Sequence, residues 1–256
     1  MAGLLFGVYA VISYVIFFAA FLYAIAFVGD LPIAPKTIDS VPAGALVPAL
    51  IVNALLLGLF AIQHSVMARP AFKRWWTRLI PPPIERSTYV LFASLALVAL
   101  YVFWRPLPQP ICTVTGPAAM VIIALFWAGW GIVLLSTFLI SHFELFGLAQ
   151  VYRRIRGRTA AAPTFRTPAF YRLVRHPLYV GFIFAFWATP TMTLGHLFFA
   201  VGTLGYILVA IQFEERDLID TFGERYLAYR RQVGMLLPKI GGAKRATLSS
   251  PPSTAP

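Results

Sequence analysis

Cysteine occurs once in 256 residues, at Cys112, so the chain has no internal disulfide framework and no Cys-x-x-Cys metal site. Charge is scarce too: 12% of the residues are charged, against about 25% in an ordinary soluble domain. Also missing are a Gly-x-Gly-x-x-Gly after a strand, a P-loop, His-Glu-x-x-His and Gly-x-Ser-x-Gly, which excludes a soluble Rossmann-type cofactor domain. What fills the chain is apolar, at 59% hydrophobic and a mean hydropathy of +0.78. A water-soluble globule of this length would expose a large apolar surface, and disorder requires low hydrophobicity. The composition is that of an integral membrane protein.

Apolar runs lie at roughly 4–28, 45–66, 87–104, 117–140, 177–194 and 196–213. A helix crosses a hydrocarbon core with about 20 residues, and none of the runs alternates as a barrel strand does. The expectation is an all-α, polytopic membrane protein with about six transmembrane helices. The last two form a short antiparallel hairpin turning near Gly195-His196. The first run has no basic n-region and is too long for a signal-peptide core, so it is expected to stay as a helix.

Five basic residues lie between runs two and three, seven between runs four and five, and seven after run six, which places 19 of 21 on one side. The positive-inside rule makes that side cytoplasmic and puts both termini there. The net charge of +12 then follows from topology and anionic headgroups, and nucleic-acid binding is not needed to explain it. The chain divides into a four-helix region at 1–142, a C-terminal region at 143–238, and a Gly/Ser/Thr/Pro-rich tail at 239–256 expected to be disordered. The C-terminal region holds a basic loop at 143–176, the hairpin, and an amphipathic helix expected at 214–233.

Polar groups gather at the cytoplasmic mouth of the hairpin. One span opens with Arg175-His176-Pro177-Leu178-Tyr179-Val180-Gly181, where Pro177 suits a first helical turn and the free amides favour an anion. The other ends in Glu214-Glu215. Antiparallel spans of similar length put His176 and Glu214 at one depth, giving an anion-binding half beside a cation-binding half. Charges at helix ends also snorkel to headgroups, and spacing alone leaves both readings open. His64, near the end of run two with Asn53 on the same face, and His142, closing run four, are candidate bases; interfacial hydrogen bonding is the alternative for each. No cluster has metal-ligand spacing, and no metal is expected.

Arg175-His176-Pro177-x-Tyr179-x-Gly181, one hairpin, then Glu214-Glu215-x-x-Leu218-x-x-x-Phe222-Gly223-x-x-Tyr226-x-x-Tyr229 resembles the C-terminal half of the isoprenylcysteine carboxyl methyltransferase superfamily. The segments Gln63-His64-Ser65-Val66-Met67-Ala68-Arg69-Pro70 and Ser136-Thr137-Phe138-Leu139-Ile140-Ser141-His142-Phe143-Glu144 resemble the bacterial methanethiol S-methyltransferases. The resemblance implies S-adenosylmethionine as methyl donor, bound in 143–238 over the cytoplasmic end of the hairpin, and an enzyme of the bacterial inner membrane that makes dimethyl sulfide from methanethiol. It implies Arg175, His176, Pro177, Tyr179, Gly181, Glu214, Glu215, Tyr226 and Tyr229 as cofactor-binding, with His64 or His142 as the base. Tyr179, Tyr226 and Tyr229 equally suit interfacial anchoring. Two other functions stay open: another acceptor (a prenylcysteine carboxylate, a phospholipid amine or a different thiol), or a membrane accessory protein with no enzymatic role.

Overall fold

The computed structural model describes residues 2–159 and 164–239; the segment 240–256, which takes in nearly all of the expected tail, lies outside the described residues. Helix α1 (Ala2–Val28) leads through a polar loop to α2 (Leu46–Ala68) and the short α3 (Pro70–Trp76). After a 3-10 turn at Pro82–Ile84 come α4 (Glu85–Phe103), strand β1 (Pro110–Thr113) and α5 (Pro117–Ile140). Short helices α6 (His142–Leu145) and α7 (Leu148–Ile155) precede α8 (Pro177–Trp187), β2 (Thr191–Thr193), α9 (Leu194–Phe222) and α10 (Glu224–Gln232).

Among the described residues five helices (α1, α2, α4 with its 3-10 lead-in, α5 and α9) are long and apolar enough to cross a membrane. The protein is a multi-pass membrane protein. The expected sixth helix is shorter than the run suggested: α8 has 11 residues, about 16 Å of helix at 1.5 Å per residue, and the chain covers the remaining distance to the start of α9 without helix. The chain leaves it as an extended segment, and β2 pairs antiparallel with β1, an element the all-α expectation lacked. That pairing satisfies backbone groups which the extended segment would otherwise leave bare. The turn also shifts, since Gly195 and His196 lie inside α9, where the buried His196 donates its Nε2–H to the Phe186 carbonyl at 2.9 Å.

Helix α9 has 29 residues and carries Glu214 and Glu215 within it, so the amphipathic helix expected at 214–233 is two pieces. Gly223, at φ 56°, ends α9 and caps α10, a left-handed conformation that glycine adopts without a Cβ clash. The expected basic loop at 143–176 contains α6 and α7.

The main partner of α8 is α5 rather than its hairpin mate α9. Two glycines allow this: a Cβ on Gly129 would stand 2.5 Å from the Ala185 nitrogen, and one on Gly181 would stand 2.8 Å from the Gly129 oxygen. Small residues let membrane helices approach backbone to backbone, where packing and not water drives association. An aromatic core around Phe27, Tyr101, Trp104, Trp130 and Phe199 closes the end of the bundle opposite Arg69, Arg86 and Arg175. Asn53 belongs to that closure, bonding the Arg105 backbone through both its amide and its carbonyl at 2.8 Å, so it does not serve His64.

Candidate active site

The charged motifs of α8 and α9 meet at the basic end. Arg175 donates from Nε to Glu215 Oε1 at 2.8 Å, with a second nitrogen at 2.8 Å from the same oxygen. His176 Nε2 stands 3.2 Å from Glu215 Oε1, and Arg230 of α10 lies 3.3 Å from Oε2. The remaining Arg175 donors go to the Val233 and Arg230 carbonyls. Arg175, His176 and Glu215 are buried, so Glu215 ties the start of α8, the end of α9 and α10 into one frame. Pro177 and Gly181 shape that start, one as its first helical residue and the other as the contact with α5.

Glu214 points elsewhere. Its Oε2 is 3.7 Å from His176 Nδ1, its side chain is 44% exposed, and it lines a cavity of about 270 Å³. Across that cavity stand Arg69, Lys73 and Arg86. Arg69 pairs with Asp217 at 2.8 Å, but among the described residues no carboxylate lies within 4 Å of the Lys73 or Arg86 nitrogens. Burial, and then the Arg86 guanidinium, hold the Lys73 ammonium below its ordinary pKa. The cavity therefore has an excess of positive charge that an anion would relieve, and one accessible carboxylate.

Next to the Glu215 frame, the phenol oxygens of Tyr171 and Tyr226 are buried with no hydrogen-bond partner among the described residues. Burial, followed for Tyr171 by Glu214 and for Tyr226 by Glu215, pushes both phenols well above the usual tyrosine range, so both keep a proton to donate. Tyr229 is engaged otherwise, its hydroxyl donating to the Tyr171 carbonyl. An unsatisfied buried hydroxyl is costly, and two of them beside a carboxylate suit a polar ligand that would complete them.

Behind the charged cavity lies a second, of about 510 Å³, walled by Phe17, Phe21, Leu97, Trp130, Phe182 and Phe199 among others. The two share His64, Arg86, Tyr89, Tyr179 and Tyr206. Tyr89 Oη is 2.9 Å from His64 Nε2 and 3.1 Å from Nδ1, and the Arg86 guanidinium sits 5.4 Å over the Tyr89 ring.

The two candidate histidines differ in their commitments. His142 Nδ1 is 2.9 Å from Thr137 Oγ1, and its Nε2 is 2.8 Å from Tyr14 Oη. Thr137 gives its own proton to the Leu134 carbonyl, so His142 donates to Thr137 and accepts from Tyr14. Stacked on Phe138 and held below its ordinary pKa by burial, it is a satisfied neutral imidazole. Among the described residues the His64 ring has one hydrogen-bond partner, Tyr89, with the Phe60 and Tyr206 rings packed near it, and it stands where the two cavities meet.

Curated relatives match over nearly the whole chain. It is 57% identical to the "Methanethiol S-methyltransferase" of Mycobacterium tuberculosis, over 90% of this chain and 95% of that one. It is 53% identical to "Methanethiol S-methyltransferase 2" of Bradyrhizobium diazoefficiens, over 93% and 91%. The chain belongs to the methanethiol S-methyltransferase family. It is an enzyme, a methyltransferase. A more distant relative is Nurim of Bos taurus, 30% identical over 64% of this chain and 65% of its own. No family model matches, and no solved structure is significantly similar.

The motifs of α8 and α9 are visible in the sequence, but no local pattern singles out Lys73, Arg86, Tyr89, Tyr171 and Tyr206 as site residues. The basic ones read as topology, and the aromatic ones merge with a chain in which 15% of residues are Phe, Trp or Tyr.

Proposed function

We propose that the enzyme transfers a methyl group from S-adenosylmethionine to methanethiol, giving dimethyl sulfide, with its basic end and both termini in the cytoplasm of a bacterial inner membrane. The observation that carries this is the junction of a charged cavity with an apolar one at His64 and Tyr89, in a chain from this family. An ionic donor and a small apolar acceptor call for two such compartments with one shared wall.

The donor supplies an electrophilic methyl on a sulfonium. Its carboxylate faces Lys73, Arg86 and the first amides of α8, and its ammonium or ribose faces Glu214. Tyr171, Tyr179 and Tyr226 give it hydrogen bonds and ring faces. Glu215, His176 and Arg175 hold the walls in place rather than the ligand, because their hydrogen bonds are already made to one another.

The acceptor reaches the shared wall from the apolar side. Only the thiolate is a competent nucleophile, and a neighbouring guanidinium favours it, which is the part assigned to Arg86. His64 takes the thiol proton, with Tyr89 fixing its ring. The thiolate and the sulfonium lose their charges together in the transfer, so a site that excludes water favours the transition state over the separated ions. Purified protein in lipid nanodiscs, given methyl-labelled S-adenosylmethionine with and without methanethiol, is expected to release volatile label only with the thiol. Release without the thiol, or none with it, overturns the reading.

A further inference from the structure

The apolar cavity is far larger than methanethiol needs. A dry cavity of about 150 Å³ is enough to hold benzene, and methanethiol has two heavy atoms. The chamber here is about 510 Å³. It runs along α4 from Tyr89, beside His64, to Leu100 and Tyr101 next to the aromatic plug. The 12 helical steps from Tyr89 to Tyr101 correspond to about 18 Å. Along that length the lining is mostly aliphatic and aromatic; besides the polar groups of the shared wall it includes Ser94, Thr137, His142 and Thr203. A ligand filling it would have one polar reactive end at His64 and an apolar body several carbons long.

We propose that the enzyme also S-methylates longer apolar thiols, straight-chain alkanethiols and arenethiols, with the hydrocarbon laid in this chamber and the sulfur at His64. This rests on the S-methyl transfer proposed above and extends its substrate class. The chemistry balances without a new reactant. The thiol gives up its proton, and a sulfur lone pair forms the new bond to the methyl carbon. The old bond from that carbon to the donor sulfur breaks with its electrons staying on the donor, and the products are a methyl thioether and the demethylated donor.

Each buried methylene strengthens binding about fourfold, so KM should fall stepwise along an alkanethiol series until the chamber is full. Partition of longer thiols into lipid also lowers an apparent KM, so the test is a ratio in which partition cancels. Ala24 and Leu97 line the chamber away from His64, and filling them with Ala24→Phe or Leu97→Trp shortens it while leaving the shared wall intact.

The kcat/KM for 1-hexanethiol relative to methanethiol is measured for the wild type and both variants in the same nanodiscs. Donor-free thermal shift by hexyl methyl sulfide, which cannot react, supplies a second readout. The expected result is hexanethiol turnover by the wild type, a ratio at least tenfold lower in each variant with methanethiol turnover kept, and a thermal shift seen only in the wild type. Two variants guard against misfolding in one, and methanethiol turnover reports on both. Methanethiol turnover with no hexanethiol turnover overturns this inference and leaves the proposed function standing. An unchanged ratio and an unchanged thermal shift in both folded variants overturn the chamber as the seat of the chain. Failure of every thiol removes the proposed function together with this extension of it.

Discussion

His64 and Tyr89 meet across the wall between the two cavities, with the phenol oxygen 2.9 Å from Nε2 and 3.1 Å from Nδ1. The oxygen faces the side of the imidazole between both nitrogens, so the phenol holds the ring at the junction whichever nitrogen carries the proton.

His64→Ala is therefore expected to lower kcat by about 10² to 10⁴, the usual contribution of a positioned base. Tyr89→Phe should lower it less and should move the acid limb of the pH–rate profile, because the imidazole stays but loses its partner. His142→Ala should reduce the melting temperature and leave the per-molecule rate within a few-fold. Dimethyl sulfide production, normalised to folded protein, separates the three. Equal losses at His64 and His142 would discard the assignment.

The carboxylates Glu214 and Glu215, adjacent in sequence, should behave oppositely. Glu215 accepts from Arg175, His176 and Arg230 in a buried setting, and removing one member of a buried pair typically costs about 3–5 kcal/mol. Glu215→Ala is expected to melt much earlier and to loosen α10, which limited proteolysis after Arg225 or Arg230 would detect. Glu214→Ala should melt near the wild-type temperature and bind S-adenosylmethionine more weakly, as read by calorimetry. A cold-stable Glu215→Ala with normal α10 protection contradicts the frame.

The meeting of Arg175 and His176 with Glu214 and Glu215 was legible in the sequence because hydropathy marks two neighbouring apolar runs and a chain must turn between them. The route was not. Pairing of Pro110–Thr113 with Thr191–Thr193 joins segments some eighty residues apart, and no local pattern announces it, so the 11-residue α8 read as part of a longer run. His64 and His142 were indistinguishable for a similar reason. Each is an interfacial histidine in an apolar run, and only the distant partners Tyr14 and Tyr89 tell a satisfied ring from one facing a cavity. Lys73 and Arg86 count identically toward topology whether they face headgroups or a ligand.

The glycine contact between α5 and α8 gives a prediction about folding. Gly129→Val places carbon within 2.5 Å of the Ala185 nitrogen and 2.7 Å of the Gly181 oxygen, both backbone atoms that cannot swing away. The helices must separate, and α8 carries the start of the site. Loss of folded protein, or a folded variant with much weaker donor binding, is expected; wild-type stability together with wild-type donor affinity contradicts the contact. Gly131→Ala, two residues along, meets nothing within 4 Å and serves as the tolerated control.

The loop between α1 and α2 predicts a pH dependence of stability unconnected with catalysis. Asp39 is half-buried and accepts a hydrogen bond from Thr193 at the start of α9. Burial pushes its carboxyl up to about 6; the Thr193 bond pulls down against this, and nearby Asp30 adds to it. In the unfolded chain the same group titrates near about 3.9. Below that value both states hold the proton and the residue is neutral to stability. Between it and about 6 the native state binds more protons than the unfolded one, so stability falls as pH rises, and above 6 the deficit is complete. Asp39→Asn keeps an oxygen for Thr193 to bond and removes the charge. It should melt higher than the wild type at pH 7.5, with the difference shrinking as pH approaches 4. A difference of constant size across that range would mean that the carboxylate's burial is not what destabilises the loop.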